Sequence, residues 1–150
     1  MPSMIGRRNF LASAGVVVAA GVTGAALAEA ADEPAGKAGE THNGLLDAAR
    51  ACVADGQTCL AHCLEMFKSG DTSLATCAQS VAQMLPACSA VAQLASLNAK
   101  RLGEFATACR DICEDCEKEC RKHADTHAVC KACADSCARF VNEAKLLSTA

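Results

Sequence analysis

The chain has 150 residues, twelve cysteines, four phenylalanines, no tryptophan or tyrosine, and a formal net charge of −3. That length makes a single domain the natural expectation. With no basic face and no set of stacking aromatics, nucleic-acid binding is excluded as a reading, and the charge speaks only to solubility.

The opening stretch MPSMIGRRNFLASAGVVVAAGVTGAALAEA sets Arg7 and Arg8 before Asn9, Phe10 and Leu11, then a mild Ala/Gly/Val run. Ala26-Leu27-Ala28 offers a small-residue cleavage site. This predicts a twin-arginine signal peptide over residues 1–28, with all twelve cysteines kept in the mature chain. The alternative is an N-terminal anchor, but the run is less apolar than a stable membrane span. The expected destination is the periplasm or another extracytoplasmic compartment. The twin-arginine route moves folded proteins, so folding takes place in the reducing cytosol, where disulfides are rare. A metal loaded before export is the matching expectation.

Residues 29–43 contain Pro34, Gly36 and Gly39 and read as a flexible leader. Breakers then divide residues 44–148 into four helical stretches. The first is expected from about Gly44 to Lys68, stopping at Ser69-Gly70-Asp71. The second opens at the N-cap cluster Asp71-Thr72-Ser73 and runs to about Arg101, with Pro86 expected to kink it. The third runs from about Gly103 to Ala124, and the fourth from about Thr126 to Leu147. No stretch alternates as a strand would. Four helices with short connections predict an all-α, antiparallel up-down-up-down four-helix bundle.

The cysteines test the helical faces. They stand at Cys52, Cys59 and Cys63; at Cys77 and Cys88; at Cys109, Cys113, Cys116 and Cys120; and at Cys130, Cys133 and Cys137. At roughly 100° per residue, steps of three, four, seven and eleven return to nearly the same side. Each helix thus carries one cysteine stripe. In the third stretch the remaining positions are mostly charged, from Arg110 to Lys122, so its stripe points inward. Four inward stripes predict a core lined with thiols.

Three explanations compete for such a core. Free cysteine is a small buried hydrophobe, but it fills space less well than leucine. A disulfide scaffold is the usual reason for this cysteine content in an exported chain. Neighbours at i and i+4 hold their Cβ atoms about 5–6 Å apart, however, where a disulfide wants roughly 3.8 Å, so bridges would have to run between helices. The third explanation is metal. Soft thiolates select Cu(I), zinc or iron–sulfur clusters. The pairs Cys113/Cys116 and Cys130/Cys133 sit inside helical runs and not on zinc knuckles. Cluster-specific loops are absent. Stripes of thiols along a tube suit many low-coordinate Cu(I) ions best. A disulfide-bonded helical interaction module and a zinc or general thiolate buffer stay as alternatives.

The segments CVADGQTCLAHCLEM (Cys52 to Met66), CRDICEDCEKEC (Cys109 to Cys120) and CKACADSC (Cys130 to Cys137) resemble the bacterial copper storage proteins. These are cysteine-rich four-helix bundles that hold many Cu(I) ions in the core, and the resemblance covers about His42 to Leu147. It implies storage, a homotetramer, and a copper-accepting enzyme or chaperone as partner. It also places a histidine at the mouth, which falls on His62. The run CKACADSCARF lacks a further cysteine, and MFKSGDTSL supplies only Met66 where methionine-rich mouths occur.

Antiparallel topology gathers His62, Cys63, Met66, Cys77, Cys120, His123, His127 and Cys130 at one end. Leu45, Leu46, Leu94, Leu97, Leu102, Phe105, Val141 and Leu146 fall at the other and predict a hydrocarbon plug. The soft-ligand end is the expected opening, with His62 and Met66 as candidate ligands beside the twelve cysteines. Met84, between Cys77 and Cys88, reads as core, and His42 as solvated. No serine–histidine–acid set is evident and the acids lie outside, so no enzyme activity is expected.

Overall fold

The computed structural model describes residues 36–147, with side chains from His42 onward. Four helices follow one another: α1 (Gly36–Lys68), α2 (Ala75–Ser96), α3 (Leu102–Arg121) and α4 (Ala128–Leu147). No strand occurs among the described residues. Each helix packs on its two neighbours around a square, α1 on α2 and α4, and α3 on α2 and α4, while neither diagonal pair approaches. Short connections between successive neighbours make this the expected antiparallel four-helix bundle.

The helix ends differ from the sequence expectation for local reasons. The first helix begins at Gly36, so residues 36–43, expected in the leader, are helical. His42 is half-buried and shares a hydrogen bond of 3.3 Å between its Nδ1 and Asn98 Oδ1, so it is docked on the α2–α3 turn and not simply solvated. The expected signal peptide lies outside the described residues. The end of α1 is closed by Gly70 at φ +85°, with Gly70 N–H donating to Phe67 O and Asp71 N–H to Met66 O. That is the paired bonding of a Schellman turn, which needs a left-handed residue just past the helix. Asn98, at φ +48°, plays the same part after α2: its N–H donates to Ala95 O, and Ala99 N–H to Leu94 O. The second helix therefore stops at Ser96 and not near Arg101. At its start, Asp71 does not cap it. The Asp71 Oδ1 accepts from Ser73 N–H at 2.9 Å, a local turn, and Leu74 occupies the cap position with no side-chain cap bond. The helix runs on through Pro86.

Two chemically distinct halves fill the core. Towards the α2–α3 turn it is hydrocarbon: Leu45, Ala48, Ala49, Val91, Leu102, Ala106, Phe140 and Ala144 are at most 2 % exposed. The expected plug exists, but Leu97, Phe105 and Leu146 are not in it, being 76 %, 52 % and 57 % exposed. The inward positions of α3 are Leu102, Ala106 and Cys109, so Phe105 is rotated about 100° off that face. Leu97 sits in the Schellman turn. Towards the other end, α1 and α2 approach closely at Gly56, where an added Cβ would stand 2.6 Å from Met84 Cε. Met84 is fully buried and is core, as expected.

Outside, ion pairs decorate α3 and α4, among them Arg121 with both Glu117 and Asp135, and Lys131 with Asp135. Exposed pairs contribute about 0–1 kcal/mol each, so the bundle is held by its interior. Phe140 is the largest fully buried side chain. Phe140→Ala is expected to cost about 3–5 kcal/mol in urea unfolding of the reduced, metal-free protein. Gly70→Ala is expected to cost about 1–2 kcal/mol, because alanine must take a left-handed conformation there.

Candidate metal centre

All twelve cysteines are free thiols and all are buried, Cys109 at 2 % exposure and the other eleven at 0 %. The inward stripes follow from the register: in α3 the residues buried are Leu102, Ala106, Cys109, Cys113, Cys116 and Cys120. At 1.5 Å per residue, Cys109 to Cys120 spans about 16 Å along the axis. The deep end of the thiol column holds Cys52, Cys88, Cys109 and Cys113. Its middle holds Cys116, Cys133 and Cys137, and the end towards the α1–α2 and α3–α4 turns holds Cys59, Cys63, Cys77, Cys120 and Cys130.

Sulfur atoms touch along this column. Cys88 Sγ lies 3.4 Å from Cys113 and 3.6 Å from Cys109. Cys77 Sγ lies 3.4 Å from Cys120 and 3.9 Å from Cys59, and Cys59 is 3.7 Å from Cys130. Four triads hold their sulfurs within 4.8 Å of one another: Cys52/Cys88/Cys113, Cys59/Cys63/Cys77, Cys59/Cys120/Cys133 and Cys116/Cys133/Cys137. Two triads reach across the bundle, joining α1 to α3 through Cys52–Cys113 and Cys59–Cys120. The helices on that diagonal do not approach, so the thiols themselves form the centre. Cys59 and Cys133 each belong to two triads, which links successive groups. Among the described residues no four ligand atoms form one group on the same criterion. The arrangement offers two- and three-sulfur sites that share members, and no separate tetrahedral cage.

The surroundings are uncharged. Ser136 is the only buried polar or charged residue among those described, and its hydroxyl donates to Cys133 O at 2.9 Å. Among the described residues no lysine or arginine is buried with the thiols to balance a thiolate. Burial pushes the Cys63 and Cys130 thiols up to about 11. Cys59 is raised by its bond to Cys120, and Cys113 by its bond to Cys109. Three thiols receive instead of giving. Cys113 and then Cys88 hold Cys109 down to about 5, Cys113 lowers Cys52, and Cys116 lowers Cys133.

At the end formed by the α1–α2 and α3–α4 turns, His62 is half-buried and its Nε2 lies 2.9 Å from His127 Nδ1. Their ring centroids are 4.9 Å apart, and the His123 ring is 6.4 Å from that of His127. The third helix ends at Arg121 and not near Ala124, so His123 stands in the turn. Met66 is partly buried against the core. Two residues at this end have surroundings that the sequence pattern does not show. Leu74, fully buried, adds hydrocarbon beside the soft ligands. Asp71, read as a cap, has its carboxyl lowered by the Ser73 backbone N–H first, then by the Ser73 side chain, with His127 contributing. Neither could be found by periodicity, because both lie in a connection.

The raised thiols fix a sign for alkaline stability. Cys63 and Cys130, at about 11 when folded against an ordinary 9.0, keep their protons longer in the folded chain. Their contribution is complete below about pH 9 and is lost as pH rises through 11. Thermal unfolding of the reduced, metal-free protein should therefore show a midpoint that falls between pH 9 and 11. A midpoint flat across that window would contradict it.

Comparison with the curated proteins finds no match. A family model described as "Copper storage protein" matches residues 38–149, which spans all but the first two residues of the bundle and every cysteine. A match over most of the chain, on a bundle whose thiols already form a continuous column, identifies this chain as a member of the copper storage protein family.

Proposed function

We propose that the bundle stores many Cu(I) ions at once, bound by the thiolates of Cys52, Cys59, Cys63, Cys77, Cys88, Cys109, Cys113, Cys116, Cys120, Cys130, Cys133 and Cys137. The observation that carries this is the absence of any buried cation among the described residues beside twelve buried thiols. An uncompensated buried charge is strongly disfavoured. One Cu(I) per thiolate leaves the column neutral. One Zn(II) with four thiolates would leave a double negative charge in each site, with nothing nearby to offset it. The sulfur triads and the absence of a four-sulfur group point the same way, towards low-coordinate soft ions.

The family is one of storage and not of catalysis. A surface groove of about 450 Å³ between α3 and α4 is lined by residues such as Glu114, Lys118 and Asn142 and by no thiol. His62 and Met66 flank the opening through which copper passes. The leucine, alanine and phenylalanine plug blocks the opposite end. Arg7 and Arg8 support export by the twin-arginine route after loading in the cytosol, with release outside to a copper enzyme or chaperone. A homotetramer is the expected assembly by family resemblance.

Titration of the reduced, mature protein with Cu(I) against a competing chelator is expected to reach about one ion per cysteine. Saturation at three or fewer would contradict storage and point to discrete tetrahedral sites. Replacing Arg7 and Arg8 together by lysine should leave the full-length precursor in the cytosol, read by fractionation. Undiminished export of that variant would remove the twin-arginine assignment.

A further inference from the structure

The sulfur contacts are not spread evenly over the bundle. The two shortest, both 3.4 Å, join the same two helices: Cys77 to Cys120 and Cys88 to Cys113, each from α2 to α3. The others are longer: Cys88 to Cys109 at 3.6 Å, Cys59 to Cys130 at 3.7 Å, Cys59 to Cys77 at 3.9 Å and Cys109 to Cys113 at 4.0 Å. The last pair lies on one helix, where Cβ atoms at i and i+4 stand about 5–6 Å apart, too far for a disulfide that wants roughly 3.8 Å. The two α2–α3 pairs share no cysteine, so both can close at once. They use every thiol that α2 has, since that helix carries only Cys77 and Cys88. These two stand about 16 Å apart along the helix, one towards each end of the column.

Disulfides form and persist outside the cytosol, so a column emptied there meets conditions that a column loaded in the cytosol did not. Resting on the storage and export readings above, we propose that the bundle carries a redox lock. Once emptied of copper outside the cytosol, it closes Cys77–Cys120 and Cys88–Cys113 as disulfides, and release becomes one-way. Each closure turns two S–H groups into one S–S bond. The two electrons and two protons pass to one molecule of a small disulfide, which leaves as two thiols. One protein thiolate attacks the small disulfide and releases the first thiol. Its partner cysteine then attacks the protein sulfur of the mixed disulfide and releases the second. Bound Cu(I) blocks the first step, because the free thiolate is the nucleophile. With both bonds closed, three of the four sulfur triads lose at least one member: Cys52/Cys88/Cys113, Cys59/Cys63/Cys77 and Cys59/Cys120/Cys133. Only Cys116/Cys133/Cys137 stays whole.

Trypsin can read the pairing. No lysine or arginine lies between Lys68 and Lys100, so Cys77 and Cys88 share the peptide 69–100. Cys113 falls in the peptide 111–118, Cys120 in 119–121 and Cys109 in 102–110. The reduced, metal-free chain, treated anaerobically with the small oxidant hydroxyethyl disulfide, is expected to lose four of its twelve free thiols. Mass spectrometry of the unreduced digest should find peptide 69–100 joined to both 111–118 and 119–121. Cu(I) capacity should fall by about one third, four thiols of twelve, and return on reduction. A chain loaded with Cu(I) beforehand should keep all its thiols under the same treatment. An empty chain that keeps all twelve thiols, or whose peptide 69–100 is joined elsewhere, would overturn the lock. So would a loaded chain oxidised as fast as the empty one. The peptide map is read without copper, so it is separate from the storage reading, which fails on a reduced chain that binds no Cu(I).

Discussion

A buried sulfur between helices is either a neutral thiol or an anion that needs a positive partner at bonding distance. The bundle gives its twelve sulfurs no other partner among the described residues, because no lysine or arginine is buried beside them. As thiols they are small, weakly hydrogen-bonded and poor at filling space. As thiolates they require as many positive charges as there are sulfurs. The uncharged interior and the sulfur contacts across the diagonal fit the proposed function, in which those charges arrive with the metal. The structure is thus a scaffold for its cargo more than a core in the ordinary sense.

That requirement divides the labour along the bundle axis. The hydrocarbon half, around Phe140, Leu45 and Leu102, provides the burial that holds the helices together without metal. A buried side chain of this size contributes roughly 1.5–3 kcal/mol, and the thiol half cannot match that density. The stable end is therefore the hydrocarbon end, and the proposed function has ions exchange at the end rich in thiols and histidines. Leu74, fully buried just before α2, adds hydrocarbon at the α1–α2 turn.

Much of this was written into the cysteine spacing. Steps of three, four, seven and eleven are helical repeats, so the stripes, their inward direction and the bundle were legible before any coordinates. Periodicity fails where the helix ends. Gly70 and Asn98 adopt left-handed conformations that turn the chain, and this moved the end of α2 from near Arg101 back to Ser96. The same limit misplaced Leu97 and Phe105, which are hydrophobic and near the plug in sequence but stand off the inward face. Antiparallel topology gathers His62 and His127 at one end, but the 2.9 Å approach of their rings depends on where the α3–α4 connection brings its last residue, 65 positions away in sequence. No local pattern encodes that distance. Ser136, buried beside Cys137, was hidden because a serine next to a cysteine stripe reads as solvent-facing.

In the proposed function the thiol column binds copper in low coordination, with sulfurs shared between neighbouring ions. X-ray absorption at the copper edge, on the fully loaded protein, measures this directly. The account predicts Cu(I) with two to three sulfur neighbours and a copper–copper contact from ions bridged by shared thiolates. Isolated copper with four sulfur or nitrogen neighbours and no second copper would contradict it.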